Sequence, residues 1–221
     1  ILEIQSIKLK RNRILLFNDF NLKLKKSQIM ILLGDNGSGK SSLMDAIAGL
    51  IKPEKGSIKI NNTKIEEMDS LKRIFFTYLP HKDSLKDNLT VKENLEIWLN
   101  LSKANHRNIN FEKGLEFFNL KNLQFTLVRN LSEGQRKKVS LTKLLFSKSS
   151  LWLLDEPFNN LDKRSTIKFK KLVKKKTLLG GAVLMSSHVD FKIKKCLIKD
   201  LNKNMGKLKQ KDLNLNNWNK L

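Results

Sequence analysis

The sequence predicts an α/β fold around a parallel sheet whose strands are buried on both faces. Two short runs, "IMILL" at Ile29–Leu33 and "LWLL" at Leu151–Leu154, are continuously apolar and have the length of strands. Such runs are typical of parallel strands that are covered on both sides. Apolar residues at helical spacing follow each run, and a glycine-rich loop separates the first run from its helix. This alternation of strand and helix indicates the α/β class.

The glycine-rich loop "GDNGSGKS" matches the pattern G-x-x-x-x-G-K-[ST] between a strand and a helix. Its glycines let backbone amides converge on phosphate oxygens, and the helix N-terminus adds partial positive charge. Lys40 is predicted to reach the β- and γ-phosphates, and the hydroxyl of Ser41 is predicted to ligate Mg²⁺. With strand and helix in place, a chance glycine-rich turn is the weaker interpretation. The predicted nucleotide-binding residues are Gly34, Asp35, Asn36, Gly37, Ser38, Gly39, Lys40, Ser41 and Ser42.

Acidic residues follow the second apolar strand in "LWLLDEP". Asp155 comes at the carboxyl end of the strand, where open α/β sheets place their ligands, and is predicted to hold Mg²⁺ with Ser41. Glu156 is placed to orient or deprotonate an attacking water. His188 ends another apolar strand, "GAVLMSSH", and is predicted to contact the γ-phosphate. The predicted catalytic residues are Lys40, Glu156 and His188.

The remaining elements follow in chain order. After the first helix, "GSIKI" alternates like a half-buried strand, and the N-terminal part is expected to be rich in strand. A helical subdomain is predicted at about 77–145, inserted into a core domain of residues 1–199. The lysine-rich helix "TIKFKKLVKKK" offers four residues for packing, and residues 200–221 are expected to form a weakly ordered polar tail with Trp218 as an isolated docking residue. Those four are Ile167, Phe169, Leu172 and Val173.

The chain is strongly basic, with 44 Lys and Arg against 21 Asp and Glu and a net charge of +23. Such a charge attracts nucleic acid or anionic lipid. The excess is mostly lysine spread along the chain and accompanied by Asn and Ile, so we interpret it as a compositional bias and expect no nucleic-acid partner. The single cysteine, Cys196, excludes an internal disulfide framework. No apolar run approaches the roughly 20 residues that a membrane-spanning helix needs.

The motifs "GDNGSGKS", "LSEGQ", "LLDEP", "NNLD" and the histidine of "MSSH" occur in an order that resembles the nucleotide-binding domain of ABC transporters, over about 2–188. The resemblance implies a P-loop NTPase fold, ATP and Mg²⁺ as ligands, and a dimer of two identical copies. In that family the signature motif binds the γ-phosphate held by the other subunit. The resemblance assigns this role to Leu131, Ser132, Glu133, Gly134 and Gln135. It assigns communication across the dimer to Asn159, Asn160, Leu161 and Asp162.

Three departures from the family pattern affect these expectations. Glu133 replaces the usual glycine of the signature, and Arg136, Lys137 and Lys138 are expected to offset its charge. The adenine-stacking tyrosine is missing, so Lys10, Arg11 or Arg13 is expected to substitute. His81 stands in "YLPHKD" where the family has the glutamine that couples to the membrane subunit.

The segment "YLPHKDSLKDNLTVKENL" is similar to that of the ATPase subunits of cytochrome c maturation (haem exporter) systems, as are "SLWLLDEPFNNLD" and "GAVLMSSH". This resemblance implies integral membrane ABC subunits of that system as partners. It also implies a peripheral location, on the cytoplasmic face of a bacterial inner membrane or on the matrix face of the mitochondrial one.

Three alternatives stay open at this point. The chain could serve another ABC transporter, it could act on ribosomes or nucleic acid, or it could be an inactive regulatory domain. The absence of a second motif set argues against the ribosomal alternative, and the intact Lys40, Asp155, Glu156 and His188 argue against the inactive one.

Overall fold

The computed structural model describes residues 1–68, 75–101, 111–188, 193 and 196–202 of the chain. These residues form a four-stranded antiparallel sheet and a five-stranded parallel sheet, in the strand orders β2-β1-β4-β5 and β6-β7-β8-β3-β9. The α/β class is therefore confirmed. No helix among the described residues is long and apolar enough to cross a membrane.

The antiparallel sheet contains most of the N-terminal region. Leu2 pairs with Leu24 on one side and with Ile60 on the other, which places β1 between β2 and β4. Alternate residues of β1 are buried, with register shifts after Ile4. A sheet with one buried face explains this alternation. The strands are β1 (Leu2–Arg11), β2 (Ile14–Leu24), β4 (Lys55–Ile60) and β5 (Thr63–Lys64).

The parallel sheet positions the functional motifs. Its strands are β3 (Ile29–Leu33), β6 (Phe76–Leu79), β7 (Leu151–Leu154), β8 (Ala182–Ser187) and β9 (Leu197–Asp200). Every residue of β7 and β8 is buried. Leu79 pairs with Leu154, and Leu33 pairs with Ser187. The carboxyl ends of these strands therefore meet at one edge, and the segments that follow them lie together there.

The described part of the chain contains five helices, which contribute to two cores on the two sides of the parallel sheet. They are α1 (Lys40–Ile47), α2 (Val91–Leu101), α3 (Phe111–Phe117), α4 (Glu133–Phe146) and α5 (Lys163–Leu178), with 3₁₀ turns at Ile65–Glu67, Lys121–Leu123 and Val128–Asn130. Leu151 and Leu153 pack in the core shared with α1 and the antiparallel sheet. Trp152 and Leu154 pack in a second core with α2 to α5. Because alternate strand residues serve opposite cores, the whole of β7 is apolar.

The predicted boundaries need three corrections. Thr77 is not helical but lies in β6, where its hydroxyl contacts Ser149 at 2.9 Å, so the helical region begins after this strand. The strand β9 was not predicted, and the tail does not begin at Asp200. Leu201 is fully buried, and the side chain of Asn202 accepts a hydrogen bond from the amide of Asp35 at 3.0 Å. Residues 203–221, including Trp218, lie outside the described residues.

The packing predicted for the lysine-rich helix is only partly correct. Phe169 and Val173 are fully buried, and Leu172 is nearly so, whereas Ile167 is 57% exposed. The helix turns by 100° per residue, so Ile167, two residues before Phe169, points to solvent. Phe169, Leu172 and Val173 form one stripe that faces the second core.

A buried lysine in α4 makes the stability of the fold depend on pH. Lys143 is 4% exposed, and burial lowers the pKa of its ammonium to about 8 although Asp83 attracts the charge. The ordinary pKa is 10.5. Holding the charged ammonium in the folded state therefore lowers the free energy of unfolding by about 3 kcal/mol. This cost is full below pH 8 and disappears above the ordinary pKa.

Replacing Lys143 with Met is expected to raise the free energy of unfolding at pH 7 by about 2–3 kcal/mol. The gain should shrink as the pH rises through 8 and vanish above about pH 10.5, because the lysine is then neutral in both states. Urea unfolding at several pH values measures this, with the exposed Lys148→Met as the control. A gain that does not change with pH would show that packing, and not charge burial, sets the effect.

Candidate active site

The glycine-rich loop lies between β3 and α1 and forms one wall of a cleft of about 640 Å³. Lys40 is buried, and its ammonium donates to the carbonyl oxygens of Gly34 at 2.6 Å and Asp35 at 2.8 Å. Gly39 has φ +90°, and a Cβ there would lie 2.9 Å from the ring of Phe17. No side chain caps the helix that follows. The loop thus presents a closely curved backbone and a helix N-terminus to the cleft, as phosphate binding requires.

The predicted loop residues divide between the cleft and its support. Ser38 is buried and its amide donates to the Asp35 carbonyl at 3.1 Å, so it closes the turn. The predicted residues that line the cleft are Asn36, Gly37, Gly39, Lys40, Ser41 and Ser42, together with His81, Glu156, Asn159 and His188.

One serine hydroxyl fixes both acidic residues that follow β7. Ser186 Oγ donates to Asp155 Oδ1 and accepts from the amide of Glu156 at 2.8 Å. Asp155 is 1% exposed, and its Oδ2 is buried and has no hydrogen-bond partner among the described residues. An orphaned carboxylate oxygen is a costly arrangement that a cation or its bound water would relieve. Ser186 was not predicted, because a serine in an apolar strand carries no distinctive pattern.

The carboxylate of Glu156 is surrounded by three side chains from three segments. Asn159 Nδ2 donates to its Oε2 at 2.5 Å. His81 Nδ1 lies 3.4 Å from the same oxygen, and His188 Nδ1 lies 3.6 Å from Oε1. Glu156 itself has φ +46°, an uncommon conformation for a side-chain-bearing residue. The predicted His188 is thus at the cleft, and His81, predicted only as a coupling residue, also faces the predicted catalytic carboxylate.

The signature segment, residues 131–135, forms the start of α4. Ser132 caps α4 in a capping box, accepting from the Gln135 amide at 3.3 Å while its own amide donates to Gln135 Oε1 at 2.9 Å. Leu131 is buried and anchors the turn. At Gly134 a Cβ would meet the Asn160 carbonyl oxygen at 2.7 Å, so glycine is required by the close approach of the neighbouring loop. None of the five signature residues, all described, lines the cleft.

The unusual carboxylate of the signature has a partner within the chain. Glu133 Oε2 accepts a hydrogen bond from Asn160 Nδ2 at 2.9 Å. The expectation that nearby cations offset its charge is wrong for two of them. Arg136 contacts other carboxylates, and Lys138 lies 2.6 Å from Asp162.

The "NNLD" loop joins the signature helix to Glu156. Asn159 contacts Glu156, and Asn160 contacts Glu133. Asp162 caps α5 by accepting from the Ser165 amide at 2.7 Å. The hydrogen bond from Lys138, supported by that cap, lowers the pKa of Asp162 to about 2. Leu161 packs at the edge of the second core. This loop therefore connects the candidate catalytic carboxylate to the segment predicted to touch a partner's ATP.

Of the three cations expected to replace the adenine-stacking tyrosine, one lines the cleft. Arg11 Nη1 donates to Ser42 Oγ at 3.1 Å and to Asp45 Oδ2 at 3.2 Å. Lys10 instead lies 2.9 Å from Glu54, outside the residues that line the cleft, and Arg13 does not line it either. Ile14 also lines the cleft and is 66% exposed. Arg11 is therefore the one of these three cations that borders the cleft, and Ile14 adds an apolar side chain to its lining.

Known proteins share sequence and fold with this chain. The ABC transporter family model matches residues 17–159. A cytochrome c biogenesis ATP-binding export protein CcmA from Reclinomonas americana is 36% identical over 84% of this chain and 83% of its own length. The CcmA protein from Rickettsia conorii is 35% identical over 81% of this chain and 91% of its own length.

A solved ATP-binding cassette, a dimer in a post-hydrolysis state with ADP and phosphate, shares the fold. Its TM-score is 0.75 at 24% identity, over 86% of this chain and 88% of the other. The loop, the acidic pair and the signature thus lie in a fold that this ADP-bound cassette shares, in a sequence similar to ATP-binding export proteins. The chain belongs to the ABC transporter family, as an ATP-binding and ATP-hydrolysing subunit similar to the CcmA proteins.

Proposed function

We propose that this chain powers a membrane complex of cytochrome c maturation that exports or delivers haem. Two similar proteins support this assignment, since each is a cytochrome c biogenesis ATP-binding export protein. The observation that carries the catalytic part is the Glu156 carboxylate, which lies in the same cleft as Lys40 and is held there by Asn159.

The proposed reaction uses the cleft residues in distinct roles. Lys40, the loop amides and His188 stabilise the charge of the triphosphate. Glu156 orients a water toward the γ-phosphorus and accepts its proton as the bond to the leaving ADP oxygen breaks. Arg11 and Ile14 cover the base. Among the described residues, those of the signature do not line this cleft, and the signature of a second copy would supply donors to its open side.

Asp155 and Ser41 would hold Mg²⁺. The buried, unpartnered Oδ2 of Asp155 fits this role, and Ser41 lines the cleft. The described residues contain no cluster of three or more His, Cys, Asp or Glu that could hold a metal ion. A site with only the Asp155 and Ser41 side chains suits Mg²⁺, which is usually bound by one or two protein ligands, waters and substrate phosphates. When bound, the ion would neutralise charge on the phosphate oxygens.

The proposed assembly is a homodimer peripheral to the membrane, attached to integral membrane ABC subunits of the same system. The dimer would lie on the cytoplasmic face of a bacterial inner membrane or on the matrix face of a mitochondrial one. ATP closes the dimer, hydrolysis reopens it, and the loop 159–162 communicates between the sites. His81 is at the position through which the membrane subunit would be coupled.

Recovery of the full chain from its native membrane at moderate salt tests the system, with co-purifying proteins identified by mass spectrometry. A polytopic cytochrome c maturation subunit is the expected partner. A membrane subunit of another transporter would overturn the haem assignment but keep the ATPase. Ribosomal RNA as the sole partner would overturn the haem assignment and the membrane partner, and it would attribute the net charge of +23 to nucleic-acid binding.

A further inference from the structure

A single arginine joins the signature helix to the segment that carries His81. Arg136, in the first turn of α4, donates from Nε and Nη2 to the two oxygens of Asp83, each at 2.9 Å. Its Nη1 donates to Asp87 Oδ1 at 2.6 Å. A two-pronged arginine–carboxylate contact fixes orientation as well as distance, which a lysine could not do.

The contact with Asp83 is protected from solvent more than an ordinary surface pair. The side chains of Arg136 and Asp83 are 22% and 19% exposed. Burial raises the pKa of the Asp83 carboxyl. Hydrogen bonds from Arg136 and the Leu85 amide outweigh this effect, so the pKa of Asp83 is lowered. Asp87 is 61% exposed, so its contact is screened and secondary. Asp83 is therefore the anchored end of the segment.

The other end of this segment is fixed by the sheet. Leu79 is the last residue of β6, pairs with Leu154, and accepts a hydrogen bond from the Asp155 amide at 2.9 Å. Only 80–82 separate it from Asp83, and His81 is the middle residue. A stretch this short between two fixed points has few conformations, so the position of His81 depends on the anchor at Asp83.

We propose that Arg136 is a positioning residue for hydrolysis: through Asp83 it holds His81 against the Glu156 carboxylate. The consequence is that the arrangement of the catalytic carboxylate follows the position of the signature helix. When the signature of one copy engages ATP on the other, α4 of that copy also sets the place of its own His81. This inference rests on the proposed role of Glu156 and adds a residue that does not line the nucleotide cleft.

A double-mutant cycle on the full-length chain tests the proposal by ATPase kinetics. Arg136→Gln is expected to lower kcat by about 10- to 100-fold, because a displaced group near the reacting water is costly. The KM for ATP should change by less than about 3-fold, because Arg136 does not line the cleft. In the His81→Ala background the Arg136→Gln change should have no further effect. Arg136→Lys, which keeps the positive charge but cannot make the two-pronged contact with Asp83, should recover only part of the activity.

The matched control is Arg129→Gln. Arg129 lies in the preceding turn, and its guanidinium makes an exposed contact with Asn88 at 3.5 Å. This variant should keep wild-type kcat. Asp83→Asn serves as the second variant if Arg136→Gln does not fold, because it weakens the same contact from the other side and keeps the side-chain shape. It should reproduce the loss in kcat and its disappearance in the His81→Ala background.

Several results would overturn the proposal. Wild-type kcat in Arg136→Gln would do so, as would wild-type kcat in His81→Ala. Multiplicative losses in the double variant would show that Arg136 acts without His81. Normal hydrolysis by Glu156→Gln would instead contradict the proposed catalytic role of Glu156, so failure of the two proposals can be told apart.

Discussion

Replacing Glu156 with Gln is expected to lower kcat at least about 100-fold while ATP binding is retained. The amide cannot accept the proton of the attacking water. It can still accept the hydrogen bond from Asn159, and Lys40 and the loop amides are unchanged. The measurement is phosphate release at saturating ATP, together with ATP affinity from calorimetry.

The control for this substitution is Glu54→Gln. Glu54 is an exposed carboxylate that pairs with Lys8 and Lys10 and does not line the cleft. It should keep the wild-type rate. Wild-type hydrolysis by Glu156→Gln would remove Glu156 from the reaction, whatever its position beside Asn159.

Replacing Lys40 with Ala is expected to weaken ATP binding by roughly 10- to 100-fold and to abolish measurable turnover. Its ammonium is the buried cation of the loop, held by the Gly34 and Asp35 carbonyl oxygens. The substitution removes the donor that reaches the phosphates and also leaves these carbonyl oxygens without that partner. Calorimetric titration with ATP measures the loss.

Lys55→Ala provides the matched control, since Lys55 is exposed at the start of β4 and does not line the cleft. It should bind ATP with wild-type affinity. Unchanged affinity in Lys40→Ala would mean that the nucleotide does not bind at the glycine-rich loop. Equal losses in the two variants would point to overall charge as the source of binding.

Much of the catalytic site could be predicted from the sequence, because its parts are local. The loop is a contiguous pattern, and Asp155 and His188 each follow an apolar strand. Since parallel strands end at a shared edge, the sequence also indicated that these segments would meet. The strands β3 and β7 were also located correctly, because each is a continuous apolar run in the sequence.

The contacts that hold the site were not predictable, since they join polar residues distant in the chain. Ser186 links Asp155 to Glu156 across a strand pair, and Arg136 reaches Asp83, 53 positions earlier. Neither has a spacing rule. Strand β9 was missed because its sequence, "LIKD", is short and half polar, and the parallel pairing with β3 decides its structure.

The structure also explains how an acidic signature can be accommodated. Asn160 binds the Glu133 carboxylate within the chain, and the same loop holds Glu156 through Asn159. The acidic residue is thus part of the connection between the signature helix and the catalytic carboxylate.

Light scattering of the Glu156→Gln chain in solution with ATP and Mg²⁺ measures whether ATP joins two copies. A dimer with ATP and a return to monomer with ADP are expected, because the signature of each copy completes the cleft of the other. Adding Ser132→Arg, which places a bulky side chain where the partner's phosphate would sit, should abolish the dimer without changing the Lys40 cleft. A mass that does not respond to ATP, or an ATP-dependent dimer that persists with Ser132→Arg, would contradict this completion of one cleft by the other copy's signature.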